Sequence, residues 1–244
     1  GGAGAVIASK NLKAIAVSGS RLVRVTDNSA FEAACSQARA QITASSACKA
    51  LTDSGTSNAV PWSSAVGTLP VRNHAHSVYE HADRLGDLGQ GRHLFLGKAA
   101  CHGCPIRCSQ MGAVRTGPYA HMITDIVEYE SAALMGSNLE IDDIRAVAHL
   151  VKLCDTYGLD SMSTGGVIAF AFEAAEKNLL KAPKNVKLAF GSVEGAAWLI
   201  RAMALQEGEL GVLLGQGVKR ACEALGQGSD AFALHVKGME IPGF

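Results

Sequence analysis

A short run of the chain holds three of its seven cysteines within eight residues. Two residues separate Cys101 from Cys104, and three separate Cys104 from Cys108. Thiolates at such spacings can bind one iron–sulfur cluster, because a tight turn brings the first two sulfurs together and the third follows one turn later. Gly103 lets the backbone turn without a clashing Cβ, and Pro105 fixes φ after the second thiol. The run therefore predicts a 4Fe-4S site.

The fourth ligand of this cluster is not fixed by the run. A cubane normally takes four thiolates, so the fourth comes from a distant cysteine, from another kind of ligand or from outside the chain. A structural zinc site is the alternative, although it prefers two separated pairs of ligands and could use His102 only in a strained geometry. Enzymes that cleave S-adenosylmethionine use the two cysteine spacings in the reverse order, which disfavours that interpretation. The distant cysteines are Cys35, Cys48, Cys154 and Cys222, of which the first two lie among alanines and are typical of small core residues.

A second group of residues with useful chemistry follows a predicted amphipathic helix. Asp155 and Asp160 flank Gly158. The segment Ser161–Gly166 is rich in Ser, Thr and Gly and precedes an apolar helix, Val167–Ala175. A helix end, a glycine turn and a new helix N-terminus bring carboxylates, bare amides and hydroxyls together, and a carboxylate there could accept paired N–H donors from a ring edge such as that of a pterin. The alternative is that Asp160 only caps the second helix while Gly158 supplies the turn.

Two further carboxylates lie at the start of a short predicted helix, Val127–Gly136. Acidic residues favour a helix N-terminus, and a glycine is typical of its end. Glu128 and Glu130 are two positions apart, so they cannot share a helical face. We therefore expect at most one of them to point into a site, with the other exposed or capping the helix.

Composition limits the class of protein. The chain has 244 residues, a hydrophobic content of 48% and equal numbers of basic and acidic residues, 22 of each. A large apolar core is therefore expected, whereas no net charge attracts nucleic acid or an anionic membrane surface. The sequence shows no signal-peptide pattern and no apolar run of bilayer length. An odd number of cysteines, three of them bunched, suits a reducing interior better than disulfides, so we expect a cytoplasmic, oxygen-poor setting.

Periodicity predicts a mainly α fold, with a short β remnant at the N-terminus and a short strand near the C-terminus. The glycines of Gly1–Gly4 by themselves indicate only a turn, and Ala14–Val17 is predicted to be a buried strand. Because the chain begins at Gly1 and not at Met, we expect it to be part of a longer polypeptide, with 1–24 ending a β-rich cofactor-binding domain and 25–244 forming helical domains. The predicted segments are a helix from Asp27 to Gly55, an irregular connection to Asn73, a loop from Gly112 to His121, helices from Asp143, over Ser192–Gln206 and over Glu209–Leu225, and an extended segment at Ala231–Val236.

The order of these patterns resembles the tungsten- or molybdenum-dependent aldehyde ferredoxin oxidoreductase family. The similar stretches lie almost throughout the chain, and the cysteine spacing together with the Asp-x-x-Gly-Leu-Asp element is highly specific. The resemblance implies helical middle and C-terminal domains, a bis-pterin cofactor that holds the metal, and a nearby 4Fe-4S cluster that passes electrons to ferredoxin. The stretches are Gly1–Val6, Ser9–Ile15, Cys101–Cys108, Glu128–Glu130, Cys154–Asp160 and His235–Pro242.

The resemblance also implies roles for individual residues. Cys101, Cys104 and Cys108 become cluster ligands, and Glu130 becomes the catalytic candidate near the substrate. Similar proteins have a β-rich first domain that cups the cofactor, and they continue after the Ile-Pro sequence with a second pterin motif, the fourth cluster cysteine and a histidine near the metal. Neither part lies in these residues, so the chain alone should not be a competent enzyme. The implied cofactor-binding residues are Gly1, Gly2, Asp155, Gly158, Leu159 and Asp160.

Two functions from different classes remain open. The first is an oxidoreductase that takes an aldehyde and water to a carboxylate and sends two electrons, one at a time, through the cluster to ferredoxin or another electron carrier. Relatives suggest a variant that reduces an aromatic thioester, and nothing in the chain selects a substrate or decides between tungsten and molybdenum. The second is a noncatalytic Fe-S or zinc-binding helical module. An assembly of identical chains is compatible with either.

Overall fold

The computed structural model describes residues 3–21 and 23–244 and has a mainly α architecture, as predicted. The predictions for Gly1 and Gly2 lie outside the described residues. Among the described residues, twelve α-helices surround one small sheet and one hairpin. The helices are α1 (Ala3–Ser9), α2 (Asn28–Ala44), α3 (Ser46–Ser54), α4 (Ala59–Ala65), α5 (Ala82–Leu85), α6 (Asp87–His93), α7 (Tyr129–Met135), α8 (Ile144–Tyr157), α9 (Ser161–Glu176), α10 (Val193–Leu205), α11 (Gly208–Leu214) and α12 (Val218–Leu225). The strands are β1 (Phe95–Lys98), β2 (Gln110–Ala113), β3 (Ile123–Asp125), β4 (His235–Val236) and β5 (Met239–Glu240).

The predicted β remnant at the N-terminus is wrong for the described residues. Residues 3–9 form α1, and the segment Ala14–Val17 has no regular structure. The side chains of Ile15 and Val17 are 70% and 89% exposed, so the segment is not buried either. A strand needs a neighbour to accept and donate its backbone hydrogen bonds, and no strand in the described part of the chain lies beside Ala14–Val17.

The single helix predicted from Asp27 to Gly55 is two helices in the structure. Asp27 caps α2 by accepting a hydrogen bond from the Ala30 amide, as the sequence indicated. The helix then ends at Ser45, whose side chain accepts a hydrogen bond from the Cys48 amide and so caps α3. Neither α2 nor α3 contains a buried residue, so the core role predicted for Cys35 and Cys48 is wrong.

The β structure lies mainly in the middle of the chain, where the sequence predicted no strand. Strands β1, β2 and β3 form an antiparallel sheet in that order, so Gly112 belongs to a strand and not to a loop. Helix α4 also interrupts the predicted irregular connection before Asn73. Near the C-terminus β4 and β5 form a two-stranded hairpin, which confirms a short strand there.

The core is built from α7, α8, α9 and α10, which are rich in fully buried side chains. Helices α8 and α10 begin close to the predicted positions, and the side chains of Asp143 and Ser192 cap them. The backbones of α7 and α9 approach so closely that a Cβ on Gly165 would lie 2.6 Å from the Leu134 carbonyl oxygen. The helix predicted over Glu209–Leu225 is divided into α11 and α12 by the glycines near residue 216.

No helix in the described part of the chain combines the length and the apolar character needed to span a bilayer.

Candidate cofactor sites

The cysteine loop, defined here as residues 99–109, connects β1 to β2. Within it, the Cys104 amide donates a hydrogen bond to the Cys101 carbonyl oxygen at 3.1 Å, and Gly103 has a φ of +69°. The predicted turn between the first two thiols is therefore present. Cys101 is exposed, and Cys104 and Cys108 are half-buried. All three predicted ligands thus lie on one surface loop.

Helix α3 holds the loop in place. The Thr52 hydroxyl lies 2.6 Å from the Ile106 carbonyl oxygen, and the Lys98 ammonium group donates to the Thr52 carbonyl oxygen. Cys48 lies one helical turn before Thr52 and borders a cavity of about 210 Å³ that Pro105 and Ile106 also line. Sequence reasoning missed Thr52 and Lys98, because no local pattern shows a contact between residues 54 positions apart.

The donor set of this loop suits an iron–sulfur cluster. Three thiols on one loop are soft ligands of the kind that such clusters and zinc take. In the described residues, no group of three or more His, Cys, Asp or Glu side chains is already arranged around a common point. A bound cluster would therefore have to draw the sulfurs of Cys101, Cys104 and Cys108 together, which an exposed loop allows. The fourth ligand stays open.

The turn between α8 and α9 is the second candidate site, and its local structure follows helix-capping rules. Gly158 ends α8 in the left-handed conformation with a φ of +72°. The Asp160 carboxylate accepts a hydrogen bond from the Ser163 amide at 2.8 Å and caps α9. Helix α9 begins at Ser161 and contains Gly165 and Gly166, so the predicted start of the apolar helix at Val167 is six residues late. The capping interpretation of Asp160 and Gly158 is confirmed.

Asp155 differs from Asp160 in having no structural task that the described residues reveal. Its side chain is exposed, and no hydrogen bond or ion pair of its carboxylate is found in the described part of the chain. Leu159 turns inward and packs against the core, with its amide bonded to the Cys154 carbonyl oxygen at 2.9 Å. Burial raises the pKa of the neighbouring Cys154 thiol to about 12, although a hydrogen bond with Thr164 opposes the shift. Asp155 therefore keeps both carboxylate oxygens available to a ligand.

The two glutamates at the start of α7 have different surroundings, as their spacing predicted. Glu128 is exposed, and its Oε2 accepts a hydrogen bond from the Thr56 hydroxyl, which in turn accepts one from the Tyr129 amide at 2.9 Å. The Thr56 hydroxyl thus bonds the first amide of α7, and the Glu128 carboxylate binds that hydroxyl. Glu130 is half-buried, and its Oε2 accepts the Gly243 amide at 2.6 Å.

The stretch His235–Pro242 forms the C-terminal hairpin and reaches back to the helices. Lys237 and Gly238 both have positive φ and make the turn between β4 and β5. The Glu240 Oε1 accepts the Val218 amide at 2.7 Å and so caps α12. Sequence reasoning missed this capping role, because Glu240 follows its helix by many residues.

Comparison with known proteins decides the family. The family model for aldehyde ferredoxin oxidoreductase, domains 2 and 3, matches residues 33–244. The chain belongs to the aldehyde ferredoxin oxidoreductase family. It is 33% identical over 249 residues to the tungsten-containing aldehyde ferredoxin oxidoreductase of Pyrococcus furiosus, covering 100% of this chain and 40% of that protein.

Other relatives agree with this assignment. The chain is 32% identical to the tungsten-containing aldehyde ferredoxin oxidoreductase of Thermococcus kodakarensis, again over 40% of that protein. It is 29% identical to the WOR-like subunit of an aliphatic sulfonate oxidoreductase of P. furiosus, covering 39% of it. Its fold is that of a chain in the active site complex BamBC of benzoyl coenzyme A reductase, solved with 1,5-dienoyl-CoA. The TM-score is 0.77 and the sequence identity is 21%, and the match covers 100% of this chain and 38% of that chain. The chain thus spans about two fifths of the length of the relatives it matches.

In this aldehyde ferredoxin oxidoreductase family member, a continuous series of contacts links the cysteine loop to α7. A Cβ on Gly55 would lie 2.9 Å from the Cys108 carbonyl oxygen, so the two backbones touch. The next residue, Thr56, holds the first turn of α7 through the Tyr129 amide. Two consecutive residues, Gly55 and Thr56, therefore connect the backbone of Cys108 to the start of α7.

A second contact extends this series from α7 to the α8–α9 turn. The Ser131 and Ser161 hydroxyls lie 2.8 Å apart and join the start of α7 to the start of α9. Glu130 precedes Ser131, and Asp160 precedes Ser161. The hydrogen bond between the two serines thus ties the start of α7, which carries Glu130, to the start of α9, which follows Asp160.

Proposed function

We propose that the chain is part of a tungsten- or molybdenum-pterin oxidoreductase that oxidises an aldehyde to a carboxylate and passes the electrons through a 4Fe-4S cluster to ferredoxin or another carrier. Family membership supports the oxidoreductase class. The observation that carries the proposal is the continuous contact from Cys108 through Gly55 and Thr56 to the start of α7. It supports the proposal because it ties the loop that carries the three thiols to the helix that carries Glu130.

In this proposal Cys101, Cys104 and Cys108 hold the cluster, which supplies one-electron transfer. The overall reaction converts an aldehyde and water to a carboxylate, two electrons and three protons, so a group that accepts protons beside the substrate is needed. Glu130 is that group. Its Oε2 is bound by the Gly243 amide, whereas no hydrogen bond to its Oε1 is found among the described residues.

The pterin would be held by the exposed Asp155 carboxylate and by the backbone of the α8–α9 turn. A charged oxygen pair that accepts two N–H donors gives a strong and directional bond. Asp160 contributes through the turn that it caps. The remaining cofactor-binding residues in this proposal are Gly1, Gly2, Gly158 and Leu159.

The domain assignment and the setting belong to the same proposal. Residues 1–24 end a β-rich cofactor-binding domain and 25–244 form helical domains, which fits a family model of domains 2 and 3 that begins at residue 33. A small aldehyde or related carbonyl compound would be the substrate. We place the protein in the cytoplasm, where a reducing environment keeps the loop thiols available.

The decisive experiment compares Cys104→Ser with Ser109→Ala in the complete protein, purified without oxygen. Ser109 is half-buried in the same loop and is not a proposed ligand, so it serves as the matched control. We expect wild type and Ser109→Ala to contain tungsten or molybdenum, iron and acid-labile sulfide. Cys104→Ser should lose most of the iron and sulfide but keep much of the pterin metal, because the two sites have different ligands.

Two results would contradict the proposal. Equal iron and sulfide contents in Cys104→Ser and wild type would show that this loop does not bind the cluster. Zinc without sulfide in anaerobic wild type would favour the alternative, a noncatalytic zinc-binding helical module.

A further inference from the structure

Two consecutive residues of α7 form hydrogen bonds with both backbone polar groups of Gly243. The Gly243 amide donates to Glu130 Oε2 at 2.6 Å, and the Gly243 carbonyl oxygen accepts from the Tyr129 hydroxyl at 2.8 Å. Gly243 is buried although it lies beside the last residue of the chain. One short stretch of α7 thus satisfies both polar groups of a single distant residue.

The space around Gly243 is tight, so a side chain at this position would require its neighbours to shift. A Cβ at this position would lie 3.0 Å from Glu130 Oε2, 3.1 Å from the Tyr129 ring and 3.3 Å from the Ala133 Cβ. The aromatic ring of Phe244 stacks on Tyr129 with centroids 4.2 Å apart. The backbone therefore passes through a narrow slot whose walls are Tyr129 and Glu130.

The segment that enters this slot is also fixed at its other end. Glu240 caps α12 through the Val218 amide, and only two residues separate Glu240 from Gly243. A segment held at both ends cannot slide, so it presents Gly243 to Glu130 in one register. The Glu130 carboxylate is then oriented by a partner that does not move.

We propose that Tyr129 is a positioning residue that acts through Glu130: by holding the Gly243 carbonyl it keeps the Gly243 amide on Glu130 Oε2 and leaves Oε1 directed to the substrate. The inference rests on the proposed function, because it assumes that Glu130 lies beside the substrate. A carboxylate with one oxygen committed to a backbone amide has a single orientation, which favours proton transfer at the other oxygen.

The first test measures hydrogen–deuterium exchange of the Gly243 amide in the complete protein and needs no activity. Wild type should protect this amide about tenfold more than Glu130→Ala, because a hydrogen bond to a charged acceptor is lost. Tyr129→Phe keeps the ring stack but loses the hydroxyl, so protection should fall in part. Glu130→Gln keeps an acceptor oxygen and should keep most of the protection.

The second test separates positioning from a merely structural role. Tyr129→Phe should lower kcat about tenfold while KM stays within about twofold, as expected when an orienting contact is lost. In a Glu130→Gln background the same substitution should change kcat by less than about twofold, since the charged group it positions is gone. Tyr119→Phe is the matched control, because Tyr119 stacks on His149 away from the slot.

The results that overturn the inference are distinct from those that overturn the proposed function. Unchanged protection of the Gly243 amide in Glu130→Ala would show that Glu130 does not hold this amide. An equal loss of kcat from Tyr129→Phe with and without Glu130→Gln shows that Tyr129 does not act through Glu130. If the complete protein oxidises no carbonyl substrate, the proposed function fails, whereas the exchange result still decides whether Tyr129 and Glu130 hold Gly243.

Discussion

The cysteine loop and the α8–α9 turn both carry residues that could bind a cofactor, but the fold uses those residues differently. In the turn, Gly158 and Asp160 end one helix and begin the next, so their types are explained without any ligand. In the loop, Cys101 is exposed, and the described residues give its thiol no packing role.

This difference shows which residues carry functional information. A residue that caps a helix has a structural role that by itself explains its type. Its match to a ligand motif is therefore weak support for ligand binding. An exposed thiol or an unpaired carboxylate stabilises nothing that the described residues show. For this reason Cys101 in the loop and Asp155 in the turn are stronger ligand candidates than Asp160.

The largest expected contrast is in thiol reactivity between the two regions. In metal-free protein at pH 8, iodoacetamide should label Cys101 at least about 100-fold faster than Cys154. Only the thiolate reacts, and burial raises the pKa of the Cys154 thiol to about 12 while also blocking access. Mass spectrometry of peptides after timed quenching measures both rates.

The same burial gives Cys154 a pH-dependent effect on stability. A thiol whose pKa is higher in the folded state than in the unfolded state stabilises the fold fully below the unfolded value. That contribution is lost as pH rises through the folded value, so the free energy of unfolding should fall between about pH 9 and pH 12. Rapid labelling of Cys154 in folded protein at pH 8 would contradict its burial.

A smaller contrast is expected between two helical glycines, Gly165 in α9, just after the α8–α9 turn, and Gly91 in α6. Gly165→Ala should lower the free energy of unfolding by about 1–3 kcal/mol, because the new methyl group overlaps the Leu134 carbonyl oxygen on α7. Gly91→Ala is the control, since its Cβ would meet nothing within 4 Å in α6. Chemical denaturation should find Gly91→Ala neutral or slightly stabilising. Equal stability of the two variants would show that α7 and α9 can separate without cost.

Features set by neighbouring residues were predictable from the sequence. Asp27, Asp143 and Ser192 each precede a helix and accept a hydrogen bond from its first turn, and the spacing of the cysteines identified the loop. The break at Ser45 was missed because a capping serine was hidden among alanines that continue a helical pattern.

Features set by distant residues could not be predicted. Ala14–Val17 has the composition of a strand, but composition cannot supply the neighbouring strand that pairing requires. The contacts around the candidate site join residues far apart in the sequence: Thr56 and Tyr129 are 73 positions apart, and Tyr129 and Gly243 are 114 positions apart. The sequence therefore indicated candidate ligands but not the distant residues that hold their loops and helices in position.

The smallest expected effect is a difference in stability between variants of the two aspartates of the turn, Asp155 and Asp160. Asp160→Ala should destabilise the protein by about 1 kcal/mol, because α9 loses its N-cap, whereas Asp160→Asn retains an acceptor and most of the stability. Asp155→Asn should change stability by less than about 0.5 kcal/mol, since the described residues give its carboxylate no partner. Thermal unfolding of the three variants measures these differences.

The tungsten or molybdenum content of the complete protein then tests what Asp155 is for. Asp155→Asn replaces one acceptor oxygen with a donor, so a ring edge that offers two N–H donors would lose one bond and face a repulsive contact. We therefore expect a stable protein with reduced pterin-metal content and unchanged iron, because the cysteine loop is untouched. Asp160→Asn should keep both metals if its carboxylate serves mainly as a cap. Full pterin metal and normal turnover in Asp155→Asn would mean that this exposed carboxylate binds nothing, and the ligand role would then fall to the backbone of the turn.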